Sequence, residues 1–247
     1  MILLSSFIFG LVFGSFLNVI IYRLKTRQNI VFGGSFCPEC KASLKWHDLI
    51  PLLSFIYLGG HCRYCHKKIS WQYPIVEFLS GGLWLAVFYK FGVSPANIYY
   101  IFVLSIFLII AVYDFKWRII PDKIIYPAIA AAFIYNIFPP DKGGLWGVLL
   151  AAASAFLFFF FIFYFSKGRA MGLGDAKLAF LIGIFLGPLL TIAALTLAFI
   201  VGAFIGIILI MLGKKTMQSQ IAFGPMLVFG TAVVFFFSNF IIKLFQP

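Results

Sequence analysis

Long apolar runs, separated by short clusters of polar and charged residues, organise this chain from end to end. Crossing a hydrocarbon core of ~30 Å takes about 20 apolar residues in a helix. The repeated runs therefore predict an all-α polytopic membrane protein with about eight transmembrane helices, over residues 2–22, 73–91, 96–113, 123–138, 144–165, 176–187, 189–212 and 226–245. The sixth run is short for a full crossing, so it is either a tilted or broken helix turning at Gly187-Pro188 or one with different bounds. The first run has no positive residue ahead of it and no small-residue cleavage pattern after it, so it reads as a retained anchor. Phenylalanine-rich stretches such as FLFFFFIFYF (156–165) read as lipid-facing bulk, since lipid requires only that they be apolar. No internal repeat stands out.

Composition agrees with this pattern: 63% of the 247 residues are hydrophobic, 11% are charged and the mean hydropathy is +1.07. The formal charge of +12 would suit a nucleic-acid surface, but its distribution argues for topology instead. Sixteen of the nineteen Lys and Arg fall in 23–72, 114–123, 166–177 and 213–225, whereas the alternate segments hold only Lys90, Lys142 and Lys243. That asymmetry fits the positive-inside rule, with four cytosolic segments and both termini outside. Nucleic acid is not needed to explain the charge.

One stretch, 24–72, is long and polar enough to fold outside the bilayer, between a first helix in 1–23 and a helical membrane domain in 73–247. It carries all four cysteines as CPEC (Cys37, Cys40) and CRYC (Cys62, Cys65), and about 50 residues cannot build a sufficient hydrophobic core unaided. Two C-x2-C knuckles can surround one tetrahedral ion with four thiolates, the closed geometry of a structural zinc site. Disulfides are disfavoured because the charge count places the stretch in the reducing cytosol. A redox motif would need only one pair, in a βαβ setting that is missing. His47, His61 and His66 read as ordinary polar residues of this small domain.

The chain has only seven acids, and four of them, Glu77, Asp114, Asp122 and Asp175, border or enter spans, where ionisable groups are costly. Asp114 opens DFKWRIIPD at the end of the third run and Asp175 follows GLG at the start of the sixth, which puts both at the cytosolic face on different helices. Two converged carboxylates resist joint ionisation, leaving one acid and one base to activate water for amide hydrolysis. Gly172 and Gly174 would let the backbone bend before Asp175 and a peptide approach, and Pro121 would end the helix after Asp114. The competing reading makes both aspartates interface residues paired with Lys116, Arg118 or Lys177.

Together, GSFLNVIIYRL (14–24), GGSFCPEC (33–40), LIPLLSFIYLGGHCRYCHKKISWQYPIVE (49–77), DFKWRIIPD (114–122) and MGLGDAKL (171–178) resemble the type IV prepilin peptidases over nearly the whole chain. That resemblance implies a bifunctional enzyme of the bacterial cytoplasmic membrane. It would remove the leader of type IV prepilins or type II pseudopilins at the cytosolic face and N-methylate the new terminus with S-adenosylmethionine. It assigns the catalytic aspartates to Asp114 and Asp175, and the complete cysteine module implies the methylating type. Glu77 matches the family's YPxVE segment and serves either the methylation side or an ordinary helix-end ion pair, while Asp122 lies outside the chemistry. No methyltransferase glycine motif of the soluble type is visible. A non-enzymatic membrane assembly factor that docks a partner through its zinc knuckle is the alternative, with replaceable aspartates. A transporter would carry its acids at the midplane with repeat symmetry.

Overall fold

The computed structural model describes residues 1–29, 33–137, 144–169, 171–214, 216 and 221–245. Asp141 and Lys142, expected in an outer segment, and residue 138, the expected end of the fourth span, lie outside the described residues. The chain forms two compact units, Met1–Ile101 and Phe102–Pro247.

The first unit contains α1 (Ile2–Thr26), a 3-10 turn (Trp46–Leu49), α2 (Leu53–Tyr57), α3 (Gln72–Phe91) and the start of α4 (Ala96–Trp117). The backbones of α1 and α3 approach closely because small residues meet at their contact. A Cβ on Gly10 would lie 2.8 Å from the Gly81 Cα, and one on Gly14 would lie 2.7 Å from the Glu77 Cα. Gly10 and Gly14 form a G-x-x-x-G pair, which suits helices that have no hydrophobic drive to associate in lipid. Buried Asn18 then locks the register: it donates to the Tyr73 carbonyl at 3.1 Å and accepts from Gln72 Nε2 at 3.3 Å.

The second unit is built around α7 (Leu173–Leu186), whose residues 181–186 are all buried. The helices α5 (Asp122–Ile137), α6 (Gly144–Ser166), α8 (Pro188–Met211) and α9 (Gly224–Phe236) pack against it, and α10 (Ser238–Phe245) packs on α8 and α9. A Cβ on Gly183 would run into the backbone of Ala151 and Ala152, so α6 and α7 touch backbone to backbone. Asn136 of α5 donates to the Ile184 carbonyl at 3.2 Å. α7 ends at Gly187, whose φ of 78° belongs to glycine, and Pro188 opens α8 immediately. The expected turn at Gly187-Pro188 is thus present, and the helix before it is a 14-residue interior post rather than a lipid-exposed crossing.

Helices occupy the eight expected positions, but among the described residues only α1, α3, α4, α6 and α8 are long and apolar enough to cross a membrane by themselves. A sixth candidate arises if α9 and α10, bent by 80° at Phe237, count as one span. The single continuous helix expected over 226–245 is therefore broken. In the Phe-rich α6, Phe158, Phe161 and Phe165 are exposed as expected of lipid-facing bulk, whereas Phe159 is fully buried and stacks on Phe199 at 5.9 Å.

Candidate active site and metal centre

Asp114 sits on the last turn of α4 with 5% of its surface exposed. Its Oδ2 accepts the backbone N–H of Gly224, the first residue of α9, at 3.0 Å. A Cβ at position 224 would stand 2.7 Å from that same oxygen, so only glycine lets the two elements close on one another here. The helix continues one turn past Asp114 and stops at Arg118, which has φ 55° and donates its N–H to the Asp114 carbonyl at 2.7 Å. Pro121 does not stop α4, as the sequence suggested. It opens α5, with its carbonyl accepting the N–H groups of Ile124 and Ile125.

Asp175 is the third residue of α7, and its Oδ2 accepts the Gly172 N–H at 3.1 Å. The reason for the neighbouring glycines also differs from the expected sharp bend. Neither has a positive φ, and Gly172 is extended (φ −84°, ψ 154°). Gly174 matters for space, because a Cβ there would lie 3.0 Å from the Ile120 Cβ. That contact draws the start of α7 against the chain leaving α4, and the Asp114 charge acts directly on Asp175. Both carboxylates also lie at helix N-termini, α9 for Asp114 and α7 for Asp175, where the backbone dipoles favour negative charge.

Neither aspartate has the ion pair of the competing reading among the described residues. Lys177 Nζ is 2.6 Å from Asp122 Oδ1 and lies over the Tyr126 ring at 5.3 Å. Asp122 is thereby tied to a cation outside the aspartate pair. Gly224 was missed in the sequence. Its Gly-Pro pair signals a helix start, but nothing in its spacing says which carboxylate the freed N–H will meet.

In the first unit the four cysteine sulfurs all lie within 4.8 Å of one another, and the Cys37 and Cys65 sulfurs are 3.9 Å apart. A tetrahedral ion with metal–sulfur bonds near 2.3 Å requires sulfur separations of about 3.8 Å, so the cluster fits such an ion. The two knuckles are built alike, a local repeat that the sequence reading did not pick out. The Cys37 N–H donates to the Ala42 carbonyl and the Cys62 N–H to the Lys67 carbonyl, with bridges Phe36–Ser43 and His61–Lys68. Lys41 and His66, each just past the second cysteine of its knuckle, take φ of 60° and 56°. No histidine joins the cluster. Burial opposes ionisation of Cys62, but N–H groups of Cys65 and Tyr64 aimed at its sulfur bring the thiol down to about 7. Outside the knuckles, Asp48 accepts from Arg63 Nε at 2.7 Å and Lys67 pairs with Glu39 at 2.5 Å.

Among the described residues Glu77 makes no helix-end ion pair. It is buried in α3, and its Oε2 accepts the N–H of Leu52 at 2.9 Å, where Leu52 itself has φ 58°.

Among the described residues, five helices long and apolar enough to cross a membrane, two aspartates at helix ends in one unit and four clustered thiols in the other point to a class: a multi-pass membrane protein with a cysteine cluster that could hold a metal ion. Comparison with known proteins makes it specific. Residues 8–91 match the bacterial peptidase A24 N-terminal domain and residues 101–207 the type IV leader peptidase family. The chain belongs to that family. The second matched region begins at the boundary between the two compact units. Among its relatives, a prepilin leader peptidase/N-methyltransferase of Bacillus subtilis is 32% identical over 97% of this chain and 96% of its own. One of Klebsiella pneumoniae is 33% identical over 74% of this chain and 85% of its own, and one of Neisseria gonorrhoeae 27% over 92% and 88%. No solved structure matches the chain.

Proposed function

We propose that this protein is a prepilin leader peptidase and N-methyltransferase, acting on prepilins or type II pseudopilins at the cytosolic face of the bacterial inner membrane. The observation that carries the peptidase reading is the placement of Asp114 at the end of α4 and Asp175 at the start of α7, where Gly174 packs on Ile120 of the chain leaving α4 and the Asp114 charge reaches Asp175, with no ion pair to either carboxylate among the described residues. Two adjacent carboxylates hold one proton between them. The ionised one takes a proton from water as its oxygen attacks the scissile carbonyl carbon, and the protonated one supplies a proton to that carbonyl oxygen. Collapse of the tetrahedral species breaks the C–N bond, the amine nitrogen gains a proton, and the pair is left again with one.

The sidedness rests on the distribution of Lys and Arg along the chain. Cys37, Cys40, Cys62 and Cys65 are the ligands of a structural zinc, since four thiolates leave no open coordination position for chemistry. S-adenosylmethionine is the methyl donor. When bound, it would supply a methyl group for the terminal amine freed by cleavage.

Co-expression with a candidate prepilin tests the peptidase reading. Wild type is expected to give a leader-sized mobility shift, and Asp114→Asn and Asp175→Asn none, with both variants inserted at wild-type level. Asn keeps the shape but cannot carry the proton. Substantial cleavage by either variant would overturn the aspartyl mechanism.

A further inference from the structure

The segment 49–58 of the first unit carries apolar side chains that the unit leaves uncovered. On α2, Leu53, Ile56 and Tyr57 are 66%, 72% and 83% exposed. Their spacing of three and four residues puts them on one face of the helix. Trp46 and Trp71 flank the segment and are also exposed. A small polar module with this much bare apolar surface needs a cover.

Two contacts fix the depth of the segment. The Phe55 ring packs on Trp71, immediately before α3, with centroids 5.0 Å apart. The Leu52 N–H is held by Glu77, five residues into α3, at 2.9 Å. Five residues of helix rise ~7.5 Å, so the backbone at Leu52 lies beside the first turns of a helix long and apolar enough to cross the membrane. At that level a bilayer passes from headgroups to acyl chains, where Trp and Tyr are favoured. The charge around the segment agrees: residues 24–72 contain seven Lys and Arg and two acids, and both acids are paired with cations. Basic surface beside a short apolar face is the pattern of segments that lie in the interface of an anionic membrane.

We infer that α2 and the residues around it lie in the membrane interface, with phospholipid as the cover for Leu53, Ile56 and Tyr57. The cysteine module is then seated on the bilayer and does not hang from two tethers. Glu77 is the peg that holds the segment there: its buried carboxylate accepts the N–H of a residue whose backbone conformation is unfavourable for leucine. This inference rests on α3 as a membrane span and is independent of the enzymatic reading.

A photo-crosslinking residue tests it in the full chain reconstituted in nanodiscs of phosphatidylethanolamine and phosphatidylglycerol. Placed at Ile56 it is expected to give phospholipid adducts in yield comparable to the same probe at Leu85, an exposed position on α3. Placed at Tyr64, on the second knuckle, it should give far fewer. Adding Leu53→Asp and Tyr57→Asp should remove the Ile56 adduct while a Leu85 probe in that background, which reports insertion, keeps its own. Glu77→Leu, which removes the acceptor for the Leu52 N–H, should lower the Ile56 yield with the Leu85 yield unchanged. An Ile56 probe that captures a second copy of the chain, a pilin-like peptide or nothing, while the Leu85 probe captures lipid, would overturn the inference.

Discussion

Gly224 shows how one missing side chain can govern a carboxylate more than 100 positions away in sequence. Its N–H is bonded to Asp114 and its absent Cβ leaves room for the same oxygen. Gly224→Ala is therefore expected to displace Asp114 and lower leader cleavage roughly 100-fold, the scale of a 1 Å misplacement at a reacting group. Correct insertion with near wild-type cleavage by this variant would show that the contact is not needed. A second expectation concerns the thiols. Within the cluster Cys62, lowered to about 7, ionises before its neighbour Cys65, which is pushed up to about 11. Zinc uptake by reduced, metal-free protein should accelerate as pH rises through about 7, and stopped-flow uptake that is flat across neutrality would contradict this. Wild-type protein should carry one zinc, and Cys37→Ser or Cys62→Ser should lower that content in metal analysis.

Among the helices, the decisive property is how closely their backbones approach. α7 is short and interior because Gly183 lets it lie on the backbone of α6, while α1 and α3 meet through Gly10, Gly14 and Gly81. Overpacking such a contact costs ~1–3 kcal/mol or more. Gly183→Leu should strongly reduce folded protein in a detergent thermal-stability assay, whereas Gly82→Leu, where nothing lies within 4 Å of the added carbon, should be tolerated. Equal effects of the two would mean that helix propensity, and not close packing, sets the result. The small-residue pair at 10 and 14 gains its meaning only from α3 lying against it, because the same residues would read identically on a lipid-facing surface. The length of α7 warned that it was unusual, and only its neighbours reveal that its second half, 181–186, is buried.

Across the molecule, the two proposed activities should separate. The aspartates belong to one compact unit and the thiol cluster to the other. Moving a methyl group from a sulfonium to a neutral amine needs an oriented donor and no carboxylate pair. Asp175→Asn protein is therefore expected to methylate a pilin supplied already cleaved, and Cys62→Ser to lower methylation at least as much as cleavage. Labelled-methyl incorporation measures both, and none by a well-folded Asp175→Asn variant would mean that the reactions share a site.

Much of this protein was determined by local rules that act along the chain. Apolar run length set where helices form, since lipid leaves backbone groups no partner outside the helix. C-x2-C spacing set the thiol cluster, because each knuckle is closed by residues within a few positions of it. The turn at Gly187-Pro188 followed from the φ that glycine alone adopts freely. The tertiary structure decided what depends on distant partners. It bound Lys177 to Asp122 and left Asp114 and Asp175 with no ion pair among the described residues, broke the last run at Phe237, and spent Glu77 on the Leu52 N–H. Charge, hydrogen-bond capacity and absent side chains are written in the sequence, but their consequences depend on which groups come within a few ångströms, and only packing brings those groups together.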